Sequence, residues 1–174
     1  MRTRTIVGLI IAILVITAMG CSTVQSALSA VESGQKVAAV AEVADLKSGE
    51  VLCAYGQADS VFDPWYGVAT VLTKASEATK NQAEVLFVAS GDKSWTEYVI
   101  PSHKAKKDEL VVGAVVFYLS GYGKNEKVSA DSYRKSDWGL GRVTSTDEMF
   151  KNLVEVNGDK YYWQWIRLPD QPVE

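Results

Sequence analysis

The sequence is short of the residues on which most enzymatic and metal chemistry depends. Its 174 residues include one His and two Cys, which leave almost no material for a Cys/His zinc site or a His-dependent triad. The patterns G-x-S-x-G, H-E-x-x-H, Walker A and G-x-G-x-x-G are absent. No nucleophile motif accompanies His103, and the Asp147/Glu148 pair is typical of a helix cap or a solvated turn. The sequence therefore predicts a protein that is not an enzyme and has no cofactor and no metal.

Positive charge and long apolar runs are also scarce. The chain carries 18 Lys+Arg against 21 Asp+Glu, a net charge of −3, whereas nucleic-acid binders usually show a basic stripe and a high pI. Its longest apolar run, Ile6–Met19, would reach roughly 21 Å as a helix, which is short of the ~30 Å hydrocarbon core of a bilayer. Two arginines and no acidic residue precede this run. The pattern predicts an export signal rather than a membrane span.

The residues after this run carry a more specific pattern. Ala18–Cys21, with the sequence AMGC, resembles the lipobox of bacterial lipoproteins, in which the cysteine becomes the first mature residue. The family prefers Leu at the first box position and Ala or Ser at the second, and this chain departs at both. The resemblance implies removal of 1–20 and membrane anchoring through lipid on Cys21, and Ser22 in place of Asp favours the outer membrane of a didermic bacterium. The alternative is an export signal with an incidental cysteine.

Removal of residues 1–20 takes away two arginines and no acid, so the mature chain has a net charge of −5. Residues 21–46 then form the lipidated Cys21 and a spacer without aromatic residues or Pro, which is expected to be partly helical. Cys53 lies in a short apolar run and is predicted to be a small core residue rather than a nucleophile.

From Gly49 onward, short β-type runs alternate with Gly, Asp, Asn and Ser, which predicts strands. The order of these runs recurs. The strand after Gly49 matches the one after Gly113, the Trp65 segment matches the Trp138 segment, and a Gly-Asp-Lys turn at 91–93 recurs at 158–160. Both series end in an aromatic-rich run that closes on Pro. We therefore predict two homologous units, 47–106 and 107–170.

The order of landmarks in the first unit resembles the Tudor and agenet modules of the SH3-like barrels. These landmarks are Gly49, Val51, Trp65, Tyr66, Ala69, Val71, Val85, Phe87, Gly91, Asp92, Trp95, Ile100 and Pro101. The resemblance covers residues 47–170 and implies an all-β fold of two tandem small SH3-like, Tudor-like β-barrels behind the signal helix and spacer. The second unit departs from the pattern, since it has Gly139 where the first has Tyr66 and lacks a Phe in its third strand.

Tudor-type modules commonly bind a cationic side chain in a cage of aromatic rings, through cation–π attraction. The resemblance implies that the ligand-binding residues are Tyr55, Trp65, Tyr66, Phe87 and Trp95 in the first unit and Tyr118, Trp138 and Trp163 in the second. The alternative is that these rings only fill two small cores. A polar insert between Gly121 and Lys135 borders the expected binding rim.

These observations favour a lipoprotein of the bacterial cell envelope that acts as a non-catalytic binding or scaffolding module for a protein or peptide partner. One alternative is a peptidoglycan-binding accessory protein or hydrolase subunit. Another is a purely structural envelope lipoprotein. The basic cluster at 104–107 is expected to be a solvated linker that could touch an anionic polymer.

Overall fold

The computed structural model describes residues 40, 42–121, 129 and 132–173. The predicted signal helix, the lipidation residue Cys21 and most of the predicted spacer lie outside this range, as does most of the 121–135 insert. Val40–Glu174 form one compact unit. Among the described residues, no helix has both the length and the apolar character needed to cross a bilayer.

The described residues form eleven strands joined by turns and four short 3-10 turns, without an α-helix. The prediction of an all-β fold is confirmed. The strands are β1 Glu50–Ala54, β2 Tyr66–Thr73, β3 Ala83–Phe87, β4 Lys93–Thr96, β5 Val99–Ile100, β6 Ser102–Lys104, β7 Val115–Leu119, β8 Trp138–Ser145, β9 Leu153–Val156, β10 Asp159–Tyr162 and β11 Arg167–Pro169. The 3-10 turns are Glu77–Thr79, Ser132–Lys135, Met149–Lys151 and Trp163–Trp165.

One order of antiparallel pairing occurs twice along the chain. In the first strand set, β1 pairs with β2, β2 with β3 and β3 with β4, and β5 returns to pair with β1. In the second strand set, β7, β8, β9 and β10 pair in the same succession and β11 returns to β7. The two sets join where Tyr66 on β2 lies opposite Trp138 on β8, so that all the strands belong to one antiparallel sheet.

The two strand sets also share local irregularities. In each, a 3-10 turn links the second strand to the third and ends in a left-handed residue, Lys80 or Asn152. The turn before the fourth strand contains Gly91 in one set and Gly158 in the other, both at positive φ, where a side chain would be strained. Each set has one register irregularity between its second and third strands, at Val71/Thr73 and at Val143/Ser145.

The core consists of three clusters because successive residues of a strand face opposite sides of the sheet. One cluster lies within the first strand set around Cys53, Val85 and Phe87. A second lies within the second strand set and includes Val116 and Val143. The shared cluster takes the opposite faces of both sets: Leu52, Ala54, Tyr66, Val68, Phe117, Leu119, Trp138, Leu140 and Trp165. The first four residues of β2 and of β8 are therefore buried on both faces of the sheet.

The chain is already part of this fold before β1. Val43 is buried in the shared cluster, and its N–H donates to the Gln164 carbonyl at 3.0 Å. Arg167, which is 2% exposed, donates to the Ala44 carbonyl at 3.5 Å and to the Ser102 carbonyl at 2.5 Å. Burial lowers the pKa of the Arg167 guanidinium. We call residues 42–46 the entry segment; it is held in place by Arg167 and by the burial of Val43.

Candidate functional site

An open groove of about 420 Å³ lies between the loop that joins β1 to β2 and the residue that precedes β8. The aromatic rings of Tyr55 and Trp65 line it together with two carboxylates. The lining residues are Tyr55, Gln57, Ala58, Asp63, Pro64, Trp65 and Asp137. We call it the acidic aromatic groove. The loop is closed at its base because the Tyr55 N–H donates to the Trp65 carbonyl at 2.9 Å, and this bond holds the two aromatic residues side by side.

The Tyr55 ring is held in place by stacking, and its hydroxyl end packs over Gly67. It stacks on Phe87 with the ring centroids 4.3 Å apart and the planes at 26°. Its hydroxyl lies near the Asp137 carboxylate, whose negative charge raises the pKa of the phenol. Gly67 makes this position possible, since a Cβ atom there would overlap the end of the Tyr55 side chain. The ring is therefore placed before any ligand arrives, which lowers the entropy cost of binding.

The chemistry of the groove favours a cation. Asp63 and Asp137 are both solvent-exposed acids, and no Lys or Arg is among the lining residues. Trp65 is 49% exposed and offers a ring with negative electrostatic potential on its face. A desolvated ammonium or guanidinium group would meet both the ring faces and the carboxylates, whereas an anion would be repelled.

The structure brings together three of the eight aromatic residues predicted as a ligand site. Tyr55 and Trp65 line the groove, and Phe87 lies directly behind Tyr55. Trp95 is 44% exposed on β4, where it lies opposite Glu84 and outside the groove.

Two further predicted residues are fully buried in the shared cluster. Tyr66 packs edge-to-face on Phe117, with centroids 5.1 Å apart, and its hydroxyl donates to the Val61 carbonyl at 2.5 Å. The indole N–H of Trp138 donates to the Tyr133 carbonyl at 3.0 Å. Neither ring has a face open to a ligand, because each is completely surrounded by the two strand sets.

The other two predicted residues of the second strand set, Tyr118 and Trp163, are half-buried and do not line the groove. Tyr118 packs on Tyr161 with the ring centroids 4.8 Å apart. Trp163 begins a 3-10 turn, and its indole N–H donates to the Asn152 side-chain oxygen at 3.3 Å.

The carboxylates of the groove were not singled out from the sequence. Asp63 and Asp137 lie far apart along the chain, and the β2–β8 joint is what brings Asp137 close to the loop of the first strand set. A signal for them does exist. Asp63 lies two residues before Trp65, which precedes β2, and Asp137 directly precedes Trp138, the first residue of β8. Among the described residues, no group of His, Cys, Asp and Glu is arranged to hold a metal ion.

Comparison with known proteins adds no relative. No protein-family model, no curated protein and no solved structure matches this chain.

The Tyr55 phenol provides a direct test of the groove geometry. Burial and then the Asp137 carboxylate raise its pKa from an ordinary value of 10 to about 12. A raised folded-state pKa means that the stabilising contribution is complete below pH 10 and is lost as the pH rises through about 12. A pH jump followed by phenolate absorbance should show a late-ionising phenol that Tyr55→Phe removes. Asp137→Asn should lower the pKa of Tyr55, and an unchanged titration in both variants would contradict the contact.

Proposed function

We propose that the chain is a lipid-anchored protein of the bacterial cell envelope whose folded part is a non-catalytic binding module of two tandem SH3-like barrels. The anchor is the lipid on Cys21, and the partner is a protein or peptide that offers a cationic side chain on an extended segment. The acidic aromatic groove is the observation that carries this proposal.

The pairing pattern supports the barrel interpretation. In each strand set, the last strand returns to the first, β5 to β1 and β11 to β7, as is needed to curl a short sheet into a small barrel. Each set has its own small apolar cluster on the face enclosed by this return. The shared cluster then packs the two barrels against each other.

The lining and size of the groove support a ligand that offers a cationic side chain on an extended segment. Two rings and two carboxylates line about 420 Å³ that is open to solvent, which is enough for one long side chain and part of the adjoining backbone. A cation over an aromatic face contributes about 0.5–2 kcal/mol, with the larger values in desolvated sites. Extended peptides are a common class of ligand for SH3-like barrels, which receive them in aromatic-lined grooves.

The test uses extended peptides with a central Lys, and the same peptides with Gln at that position, titrated against the protein with Trp fluorescence as the readout. We expect the Lys peptides to bind about tenfold more tightly than the Gln peptides. Trp65→Ala should remove this preference. Trp95→Ala, which truncates an exposed Trp outside the groove, is the matched control and should leave it intact. If both variants lost the preference for the Lys peptides equally, or if the wild type showed no such preference, the groove would be rejected as the binding site.

The peptidoglycan alternative is separated by co-sedimentation with purified cell walls. Peptidoglycan stem peptides also carry extended backbone and charged ends, so the groove could receive them. A wall-binding protein would pellet with the walls, and the loss of pelleting in Trp65→Ala would assign the groove to the polymer. Clearing of the wall suspension would indicate a hydrolase instead.

A further inference from the structure

A second surface feature lies at one end of the second strand set and is apolar. Phe150 is 72% exposed, Val112 65% and Val111 59%, which are the three highest values for large apolar residues in the described part of the chain. We call these three residues the apolar tip. Exposed apolar groups that cluster, rather than scatter singly, mark an interaction surface.

Hydrogen bonds and packing place the tip residues at the same end. The Gly113 N–H, next to Val112, donates to the Val143 carbonyl at 2.8 Å near the end of β8. Phe150 lies in the 3-10 turn that follows β8. Leu110 and Met149, the residues just before Val111 and Phe150, both pack into the cluster of the second strand set. Each loop therefore buries one apolar residue and exposes the next.

The entry segment contacts the end of β6, from which the chain continues to the apolar tip. Lys104 lies 4.0 Å from Asp45 of the entry segment, and the Ala105 N–H donates to the Ile166 carbonyl at 3.0 Å. The Gln164 carbonyl, in the adjoining 3-10 turn Trp163–Trp165, accepts a hydrogen bond from the Val43 N–H. Residues 104–105 begin the loop that carries Val111 and Val112. Six residues, 105–110, separate this contact from Val111 of the apolar tip.

The charges around the tip nearly cancel. Lys106 pairs with Glu109 at 3.8 Å, and Lys151 pairs with Glu148 at 3.5 Å. The Lys151 amino group also lies 5.2 Å from the Phe150 ring centroid. Such long side chains cover apolar surface with their stems and keep the charged end in water. The surface therefore selects its partner by apolar area and not by net charge.

We infer that the apolar tip inserts into the headgroup region of the bilayer that holds the lipid anchor. This inference rests on the lipid at Cys21 in the proposed function. Cys21 and Val43 are 22 residue steps apart along the chain. This length spans at most about 79 Å, which keeps the domain at high effective concentration over the membrane. Weak insertion by three side chains is then sufficient to hold one end of the domain against the lipid.

The test uses the full lipidated chain in neutral phosphatidylcholine vesicles that contain nitroxide lipids. A fluorophore is placed at Phe150→Cys or Val112→Cys. The matched control is Ala78→Cys, because Ala78 occupies the same place in the corresponding 3-10 turn of the first strand set and is exposed. Cys53 does not interfere, since it is buried and burial raises the pKa of its thiol to about 12.

We expect the lipid nitroxides to quench the probes at 150 and 112 at least about twofold more than the probe at 78. Quenching should persist at high salt and fall when Phe150→Ser is combined with the probe at 112. Equal quenching at 78 and 150 would show that the tether alone brings the domain close, and would overturn the inference, as would quenching only with anionic lipid. The mass of the purified chain is read first. A chain without lipid on Cys21 would reject the anchor and the inference together, whereas a lipidated chain without quenching would reject only the inference.

Discussion

Trp138→Ala is expected to lower the free energy of unfolding by about 3–5 kcal/mol, as is usual for truncation of a large buried aromatic residue. Trp138 is 0% exposed and packs at the centre of the shared cluster. Its truncation would leave a large cavity and would also remove the indole N–H that donates to the Tyr133 carbonyl at 3.0 Å. Because a domain of this size is stabilised by only about 5–15 kcal/mol, the variant should be close to unfolding. Urea denaturation followed by circular dichroism measures the change.

The control for this experiment is Trp95→Ala, which removes the same side chain from an exposed site on β4. A surface change of this kind is expected to stay within about 0.5 kcal/mol of wild type. If Trp138→Ala stayed folded with a similarly small loss, the shared cluster would not be the main core of the molecule. Because residues of both strand sets form that cluster, we also expect a single unfolding transition and not two.

Arg167→Met is expected to lower the free energy of unfolding by about 1.5–3 kcal/mol, because the buried guanidinium would no longer donate its partly buried hydrogen bonds to the Ala44 and Ser102 carbonyls. The guanidinium now donates to the Ala44 and Ser102 carbonyls and, through Nε, to the Ser102 hydroxyl at 3.1 Å. Its loss should also release the entry segment. The Val43 N–H donates to the Gln164 carbonyl in the wild type. In Arg167→Met, its hydrogen exchange is therefore expected to accelerate more than the exchange of N–H groups in the strands.

Arg142→Met is the matched control for charge. Arg142 is exposed, and its guanidinium lies over the Phe62 ring with 5.2 Å to the centroid. Its removal should cost less than about 1 kcal/mol and leave exchange at Val43 unchanged. Faster exchange at Val43 in both variants would mean that general destabilisation, and not the Arg167 contacts, controls the entry segment.

The strands were predictable from sequence because short β-branched and aromatic runs between turn formers reflect local propensity. The twofold recurrence of turns was also visible, since Gly91 and Gly158 both need positive φ. The alignment of β2 with β8, the second strand of each set, could not be predicted from the sequence. Trp138 lies opposite Leu119 as Tyr66 lies opposite Ala54, so Trp138 corresponds to Tyr66 and not to Trp65. Gly139 then corresponds to Gly67, which the sequence match had placed one residue away.

The aromatic residues could not be sorted from sequence into site and core. Trp65 directly precedes Tyr66, the first residue of β2, and successive residues of an extended chain face opposite sides. Which of the two sides is buried depends on what packs there. The side that Tyr66 faces is covered by Phe117 and Trp138 of the other strand set. Asp137 enters the groove for the same reason. The aromatic pattern of the first unit alone could not reveal a groove that is completed by Asp137 of the second unit.

The shared cluster has a consequence for the order in which the chain becomes available during synthesis. Its members include Val43, near the beginning of the described chain, and Trp165, close to its end. A chain made from the N-terminus can pair β1 with β2 early, but Leu52, Tyr66 and Val68 have no partners until β7, β8 and the last turn have been made. The half-finished protein therefore displays an apolar sheet face in water, and the turn that carries Trp165 must be made before that face is covered.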